Sequence, residues 1–223
     1  MPTLRFTLLE QAEVEGDKET MTVASILESI SVIVASFTVI FGINAWKREY
    51  LGRRKIELAE EVLSLFYEAR DAIRYIRNPF GYGGEGSTRN ATPTESPEEK
   101  QINDKAYIVF ERYNKRQDLF NKLYSMRYRY MAQFGKDAAR PFDDLNKIMN
   151  DIFISARMLT HYWKEQGRRQ WKNDAEFQQH LNEMHKYEAV FWEKSSEQDP
   201  IMPRVDAVIS DIEAQSVKII GKS

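Results

Sequence analysis

Three histidines and their acidic neighbours are the residues of this chain that could support metal chemistry. The histidines are His161, His180 and His185, and His180 shares a helix face with Glu176 and Glu183 at i, i+4 and i+7 spacing. Two carboxylates and an imidazole can bind a divalent metal ion. Di-iron bundles, however, need Glu-x-x-His on two helices, and the sequence contains no such pair. We therefore interpret this face as a solvated helix surface and predict no metal site and no cofactor.

Nucleophilic chemistry has even less support in the sequence. The chain has no cysteine, which excludes disulfides, thiolate metal sites and a cysteine nucleophile, and it has no Gly-x-Ser-x-Gly motif. Glycines 81, 83, 84 and 86 are spaced unlike a phosphate-binding loop, and Glu85 stands where a phosphate would bind. We predict no catalytic residue, and we keep an enzyme or metal-binding bundle with an unrecognised site as the weakest of three hypotheses.

Basic and aromatic residues alternate in two places, a composition that can stack bases and hold phosphates. One is Arg127-Tyr128-Arg129-Tyr130, and the other is His161-Tyr162-Trp163-Lys164 with Arg168 and Arg169 shortly after it. Neighbours on a helix point in different directions, so the aromatic residues are expected in the core and the arginines at the surface. The net charge of -2 also gives no basic field. The sequence does not favour a nucleic acid partner.

One long apolar run near the N-terminus predicts a membrane helix. Residues 21–46 contain Glu28 as their single charge, and 18 uncharged residues run from Ser29 to Trp46. This length is close to the roughly 20 residues that a helix needs to cross the hydrocarbon core. A cleaved signal peptide would begin with basic residues, whereas the flank here is acidic. A buried core helix is the other alternative. We predict a short tail at 1–20 and a transmembrane helix at 21–46.

The charged flanks of the apolar run predict its direction. Only Lys18 lies close before it, whereas five basic residues follow it: Lys47, Arg48, Arg53, Arg54 and Lys55. Lys and Arg are retained on the cytoplasmic side of a membrane. We therefore expect the tail outside and residues 47–223 in the cytoplasm. The five basic residues form the predicted membrane-surface site, where each contributes about 1 kcal/mol through anionic lipids.

Beyond the membrane segment the spacing predicts helices and one loop. Apolar positions step by four and three residues from Leu51 to Ile76, which indicates a helix that ends at Asn78-Pro79. Residues 79–97 are rich in Gly and Pro and predict a mobile loop. Ser96-Pro97 then resembles a helix start.

Four further helices are predicted after this loop. One long helix spans 102–134 and pairs antiparallel with the first cytoplasmic helix. Another runs from Phe142 through Trp163 and ends before Gly167, a third begins at Asn173 or Asp174, and a short last helix follows Pro203. The predicted fold is all-α, with a single N-terminal transmembrane helix that continues into an antiparallel helical bundle. Residues 47–223 form one cytoplasmic domain.

Several stretches carry a resemblance to known proteins. The first stretch is residues 57–71, which begin with Glu57-Leu58-Ala59-Glu60-Glu61. The second is Pro79-Phe80-Gly81-Tyr82-Gly83, and the third is His161-Tyr162-Trp163-Lys164. The chain resembles bacterial proteins with one N-terminal membrane helix and a helical cytoplasmic domain. The resemblance implies a location in the inner (plasma) membrane and carries no activity, ligand or catalytic residue with it.

Long helical seams, a Gly-rich loop and the lack of catalytic motifs favour one function over others. The leading hypothesis is a membrane-tethered interaction or signalling module without catalytic activity, whose partners are membrane lipids and either another protein or a second copy of the chain. The alternative is an inner-membrane effector of a stress or antiphage response.

Overall fold

A computed structural model describes residues 3–168, 170–194 and 198–221, with side chains for 25, 27–166, 170–194 and 198–221. Within these residues the chain forms six α-helices and no strand, which confirms the predicted all-α fold. The helices are α1 (Thr3–Arg77), α2 (Pro97–Asn114), α3 (Gln117–Phe134), α4 (Arg140–Arg168), α5 (Asp174–Phe191) and α6 (Met202–Ile220), with a 3₁₀ turn at Lys136–Ala139.

The chain divides into two compact units, Met1–Arg54 and Lys55–Ser223. In the first unit the side chains of residues 1–24 lie outside the description, and Lys18, on which the predicted direction partly depends, is among them. The second unit is the helical bundle. Neither a glycine nor a proline interrupts α1 between Gly52 and its end at Arg77, as the predicted continuation of the membrane helix requires.

The bundle packs its helices antiparallel around one apolar core. Glu61 of α1 forms an ion pair with Lys122 of α3 at 3.0 Å, and the start of α4 lies against the same stretch of α1, since Phe142 meets Phe66 edge-on at 4.9 Å between ring centroids. Helix α6 runs back along α4, with Asp151 of α4 paired to Arg204 of α6 at 2.8 Å. Most of the predicted seam of α1 is buried in this core.

The predicted long helix over 102–134 is wrong, because the chain turns between α2 and α3. The backbone of Arg116 leaves the helical region at φ -117° and ψ 12°, and its N–H donates to the Tyr113 carbonyl three residues back, at 2.8 Å. No Gly or Pro marks the turn, and the apolar spacing continues across it. The turn brings the rings of Tyr113 and Phe120 into a stack at 4.9 Å, whereas seven residues of straight helix span about 10 Å.

The other helix ends lie close to their predicted positions. Helix α1 stops one residue before Asn78-Pro79. Ser96 caps α2 and forms a reciprocal capping box with Glu99, and Asn173 caps α5 by accepting the Glu176 N–H at 2.9 Å. The predicted end of α4 before Gly167 is wrong, because the helix continues to Arg168 and a glycine costs a helix only about 1 kcal/mol.

Candidate functional site

The described side chains of the apolar part of α1 are exposed. Every large hydrophobic side chain described from Leu27 to Trp46 is more than half exposed, and Phe41 reaches 68%. The helix is long and apolar enough to cross a membrane, with a mean hydropathy of 1.8 in its most apolar window and none of that window buried. A core helix of this chain would be covered by other residues, so the structure opposes that alternative.

The hydroxyl groups inside this apolar segment are satisfied by its own backbone. Ser29, Ser31, Ser36 and Thr38 each donate to the carbonyl four residues earlier, at 2.7–2.9 Å. A hydrocarbon environment offers no water to complete such bonds. These four side chains therefore bring no unsatisfied donor into a bilayer.

The predicted membrane-surface residues follow the apolar segment within α1: Lys47, Arg48, Arg53, Arg54 and Lys55. Four of them are exposed, and Lys55, the first residue of the bundle unit, is half-buried. Arg53 pairs with Glu49 one turn back, and the guanidinium of Arg54 lies 5.7 Å from the centre of the Tyr50 ring. The role of these five residues at a membrane surface stays a prediction.

One buried arginine closes the far end of α1 against α5. The Arg77 side chain is fully buried and donates to the carbonyl oxygens of Ala189, Val190 and Trp192 at 2.8–3.0 Å. Both of its terminal nitrogens bind Asp199 at 2.9 Å. Arg77 therefore neutralises the C-terminal end of α5, where the helix dipole is negative.

Asp199 extends this contact to the start of α6. Its carboxylate accepts the backbone N–H groups of Lys194, Ile201 and Met202, each at 2.8 Å. Burial alone raises the pKa of Asp199, but the Arg77 guanidinium and the three N–H groups outweigh burial and hold the pKa below its ordinary value. We call this pair, Arg77 and Asp199, the helix junction.

A second buried arginine, Arg112 of α2, closes the same end of α1 against the loop. Its guanidinium pairs with Glu85 at 2.6 Å and lowers the pKa of that carboxyl. Its other acceptors are the backbone carbonyls of Tyr75, Ile76, Asn78 and Phe80. The carbonyls of Tyr75 and Ile76 lie in the last turn of α1, where no helical N–H follows four residues on, and the Tyr75 carbonyl also accepts from the Asn78 N–H at 3.3 Å. Arg112 therefore helps to cap the C-terminal end of α1. We call Arg112 and Glu85 the loop junction.

More hydrogen bonds hold the rest of the loop at 79–97. Glu111 of α2 accepts both the Gly86 N–H and the Thr88 hydroxyl at 2.8 Å. Gly86 has φ +85°, and a Cβ at that position would lie 1.9 Å from the Asp104 carbonyl oxygen. Only glycine fits there. The composition of the loop did not indicate these contacts. The mobility of the loop stays a prediction.

Arg89 is the last anchor of the loop. It pairs with Glu95 within the loop at 2.5 Å and with Asp104 of α2 at 3.1 Å. Its hydrogen bond to Glu95 is the main reason that the pKa of this carboxyl falls to about 2. The loop is thus tied to α2 by three separate acidic or basic side chains.

The same loop presents two aromatic side chains to solvent. Phe80 is 83% exposed and Tyr82 is 81% exposed, more than any other large hydrophobic residue described. Their backbone is fixed, because the Phe80 carbonyl accepts from Arg112 at 3.0 Å and the Tyr82 N–H donates to Glu85 at 3.2 Å. Sequence reasoning missed this surface. The available signal was the presence of Phe and Tyr in a loop that otherwise lacks apolar residues.

The histidine and acid face singled out in the sequence lies along an open groove of about 310 Å³ that contains Glu176, His180 and Glu183. His180 is buried, with its ring 4.5 Å from the Trp171 ring, and its Nε2 has no hydrogen-bond partner among the described residues. Glu183 instead pairs with Lys186 at 2.6 Å. Within the residues that the structure describes, no three acidic or histidine side chains converge as metal ligands.

The alternating basic and aromatic residues separate in the fold. Tyr130 is fully buried, whereas Tyr128 is 53% exposed. Arg127 pairs with Asp143 of α4 at 2.8 Å. The side chains of Arg168 and Arg169, in the second stretch, lie outside the described ones. Among the described residues, the first stretch is therefore divided between the core and the surface, and its Arg127 is paired with an acid.

No family model, curated protein or solved structure matches this chain. The resemblance to bacterial single-pass proteins therefore stays a prediction. The functional argument depends on the chain's own geometry, and its clearest features are an uncovered apolar helix and a fixed aromatic loop.

Proposed function

We propose that this protein is a membrane-tethered helical interaction module without catalytic activity, whose bundle binds a protein partner or a second copy of itself. The observation that carries the proposal is the exposure of Phe80 and Tyr82 on a loop fixed by the loop junction. The apolar part of α1 serves as the anchor. The setting we propose is a bacterial inner membrane, with residues 1–20 outside and the bundle in the cytoplasm.

The aromatic loop has the properties of a protein-binding surface. Exposed aromatic side chains supply much of the binding free energy at protein interfaces, and they do so best where the partner can exclude water. A segment held in place by hydrogen bonds loses less conformational entropy on binding than a free one. Two aromatic residues that are exposed without a structural role are therefore best explained by a partner that covers them.

Native mass spectrometry of the full chain, extracted gently from its own membranes, tests the proposal. We expect a recurrent partner or a defined homo-oligomer with the unchanged chain and its loss with Phe80→Ala and Tyr82→Ala together. Tyr124→Ala with Tyr128→Ala is the matched control, since those two rings are exposed on α3. A monomer from unchanged membranes, or a complex that survives the loop substitutions, contradicts the proposed surface.

The proposed orientation has a direct test because the chain contains no cysteine. A single cysteine introduced by Ser87→Cys should resist a membrane-impermeant thiol reagent in intact cells, whereas Thr7→Cys should react. The opposite pattern would reverse the orientation while leaving the anchor in place.

A further inference from the structure

A cavity of about 330 Å³ opens between α2, α3 and α4, away from the aromatic loop. Its wall is aromatic. Tyr113 and Phe120 stack at 4.9 Å, and Phe153 of α4 meets Tyr113 edge-on at 5.0 Å. The turn between α2 and α3 creates this wall, because a continuous helix would hold Tyr113 and Phe120 apart. The volume falls within the range of small-molecule sites.

Three asparagines stand where the cavity meets solvent. Asn146 and Asn150 lie one turn apart on α4, and Asn121 faces them from α3. All three are exposed, and none of their side chains hydrogen-bonds to another part of the chain that the structure describes. Each amide offers two donors and an acceptor side by side. The rim can therefore give and accept hydrogen bonds at once.

An aromatic wall and an amide rim together select for a flat ring with donors and acceptors along its edge. Asparagine pairs with adenine in this way, by accepting from its amino group and donating to the adjacent ring nitrogen. Stacking of a base on an aromatic side chain contributes about 1–3 kcal/mol. We propose that this cavity binds a purine ring, a function that goes beyond the proposed interaction module and is independent of the aromatic loop.

The charges at the rim favour recognition of the ring over recognition of a phosphate. Lys147 lines the cavity, but its ammonium group is paired with Asp144 at 2.7 Å. The Asp144 carboxylate beside it would repel an anionic ligand and so offsets the attraction of the ammonium group. An uncharged nucleoside is therefore sufficient as the probe, and a triphosphate should bind no better.

The test is a calorimetric titration of the full chain in lipid nanodiscs with adenosine and guanosine. We expect saturable binding of at least one of them, weakened about tenfold by Asn146→Leu with Asn150→Leu, in line with the contribution of a bidentate amide contact. Asn182→Leu is the matched control, an exposed asparagine on α5 that is not at the cavity, and should leave binding unchanged. Circular dichroism verifies that each variant is folded, and single Asn150→Ala replaces the double variant if that one is not.

Each remaining outcome decides the assignment. The assignment is overturned if neither adenosine nor guanosine binds saturably at millimolar concentration. Binding of cytidine with equal affinity also overturns the assignment, because a pyrimidine covers less of the aromatic wall. Binding that Asn182→Leu weakens as much as the rim substitutions do overturns it as well. Tighter binding of adenosine triphosphate that Lys147→Gln abolishes would replace ring recognition with phosphate recognition.

Discussion

The helix junction and the loop junction both place a buried arginine at the C-terminal end of α1, but they stabilise different parts of the molecule. Arg77 and Arg112 are both almost completely buried, and each satisfies carbonyl oxygens at the end of a helix while pairing with a carboxylate. The partner of Arg77 lies 122 residues away, and that of Arg112 lies 27 residues away. Asp199 is enclosed by backbone N–H groups, whereas Glu85 belongs to a surface loop.

This difference indicates that burial of an arginine does not by itself define its role. Removing Arg77 leaves a carboxylate that is 3% exposed and is hydrogen-bonded to the backbone just after α5 and at the start of α6. Removing Arg112 leaves a carboxylate that is 7% exposed, in a loop that Glu111 and Arg89 also hold to α2. The first junction therefore supports the whole bundle, and the second supports the surface on which the proposed function depends.

The largest expected effect follows from Arg77→Met. Breaking a buried ion pair from one side costs about 3–5 kcal/mol, because the other charge stays buried without a partner. We expect a loss of that size in the free energy of unfolding, measured by denaturant titration of the full chain in nanodiscs with circular dichroism as the signal. Adding Asp199→Asn to Arg77→Met should recover part of the loss. A loss below about 1 kcal/mol would contradict the helix junction as described.

Arg112→Met should lower the free energy of unfolding less than Arg77→Met does, and it should weaken the proposed partner binding more. Hydrogen bonds to charged groups contribute about 1.5–3 kcal/mol, and Glu85 keeps the Tyr82 N–H as a hydrogen-bond partner. We expect a loss within that range by the same titration, together with faster hydrogen exchange of the loop amides and loss of the partner that depends on Phe80 and Tyr82. If the partner is retained while the loop exchanges faster, the loop does not need to be fixed in order to bind.

Acid tests the further anchor of the loop, the pair Arg89 and Glu95. A carboxyl whose pKa is lowered in the folded state stabilises that state fully above its ordinary pKa and loses the effect as pH falls through the folded value. For Glu95 the loss runs from pH 4.5 down to about 2. We expect the protection factors of the loop amides, which correct for the slower intrinsic exchange in acid, to fall in this window. The loop amides of the Glu95→Gln variant should exchange fast already at neutral pH. If acid leaves their protection unchanged in both the original chain and the variant, Arg89 and Glu95 are not an anchor of the loop.

The smallest effect is expected at an exposed pair. Arg204 and Asp151 join α6 to α4 at 2.8 Å, but their side chains are 46% and 43% exposed. Exposed ion pairs contribute about 0–1 kcal/mol. Asp151→Asn should therefore change the free energy of unfolding by less than about 1 kcal/mol, and the change should shrink further in high salt. A loss comparable to that of Arg77→Met would contradict burial as the reason that the Arg77 and Asp199 pair contributes more than this exposed pair.

Periodicity and capping signals predicted most of the fold. The seam of α1, the Ser96 cap and the Asn173 cap are local features, and local features can be seen in a sequence. The turn between α2 and α3 could not be predicted, since no Gly or Pro marks it and it depends on the packing of Tyr113 against Phe120 and Phe153. That turn also creates the aromatic wall of the cavity.

The candidate surfaces were harder to predict than the helices. The basic residues Lys47 to Lys55 are a pattern in one segment, so the sequence was enough to single them out. The exposure of Phe80 and Tyr82 depends on Arg112 and Glu85, which are far from each other in sequence and are indistinguishable there from ordinary surface charges. A Gly-rich composition indicated freedom in the loop and gave no sign of these anchors.

The distance along the chain between Arg77 and Asp199 has a consequence for biosynthesis. A ribosome adds about 5–20 residues per second, so the 122 positions that separate the two side chains take roughly 6–24 s to translate. Throughout that interval α1 has been made, yet the carboxylate that neutralises its last arginine does not exist. The bundle therefore acquires this ion pair only after Asp199 has been translated, and a nascent chain stalled before Asp199 would present an unpaired charge and an open core to chaperones and proteases.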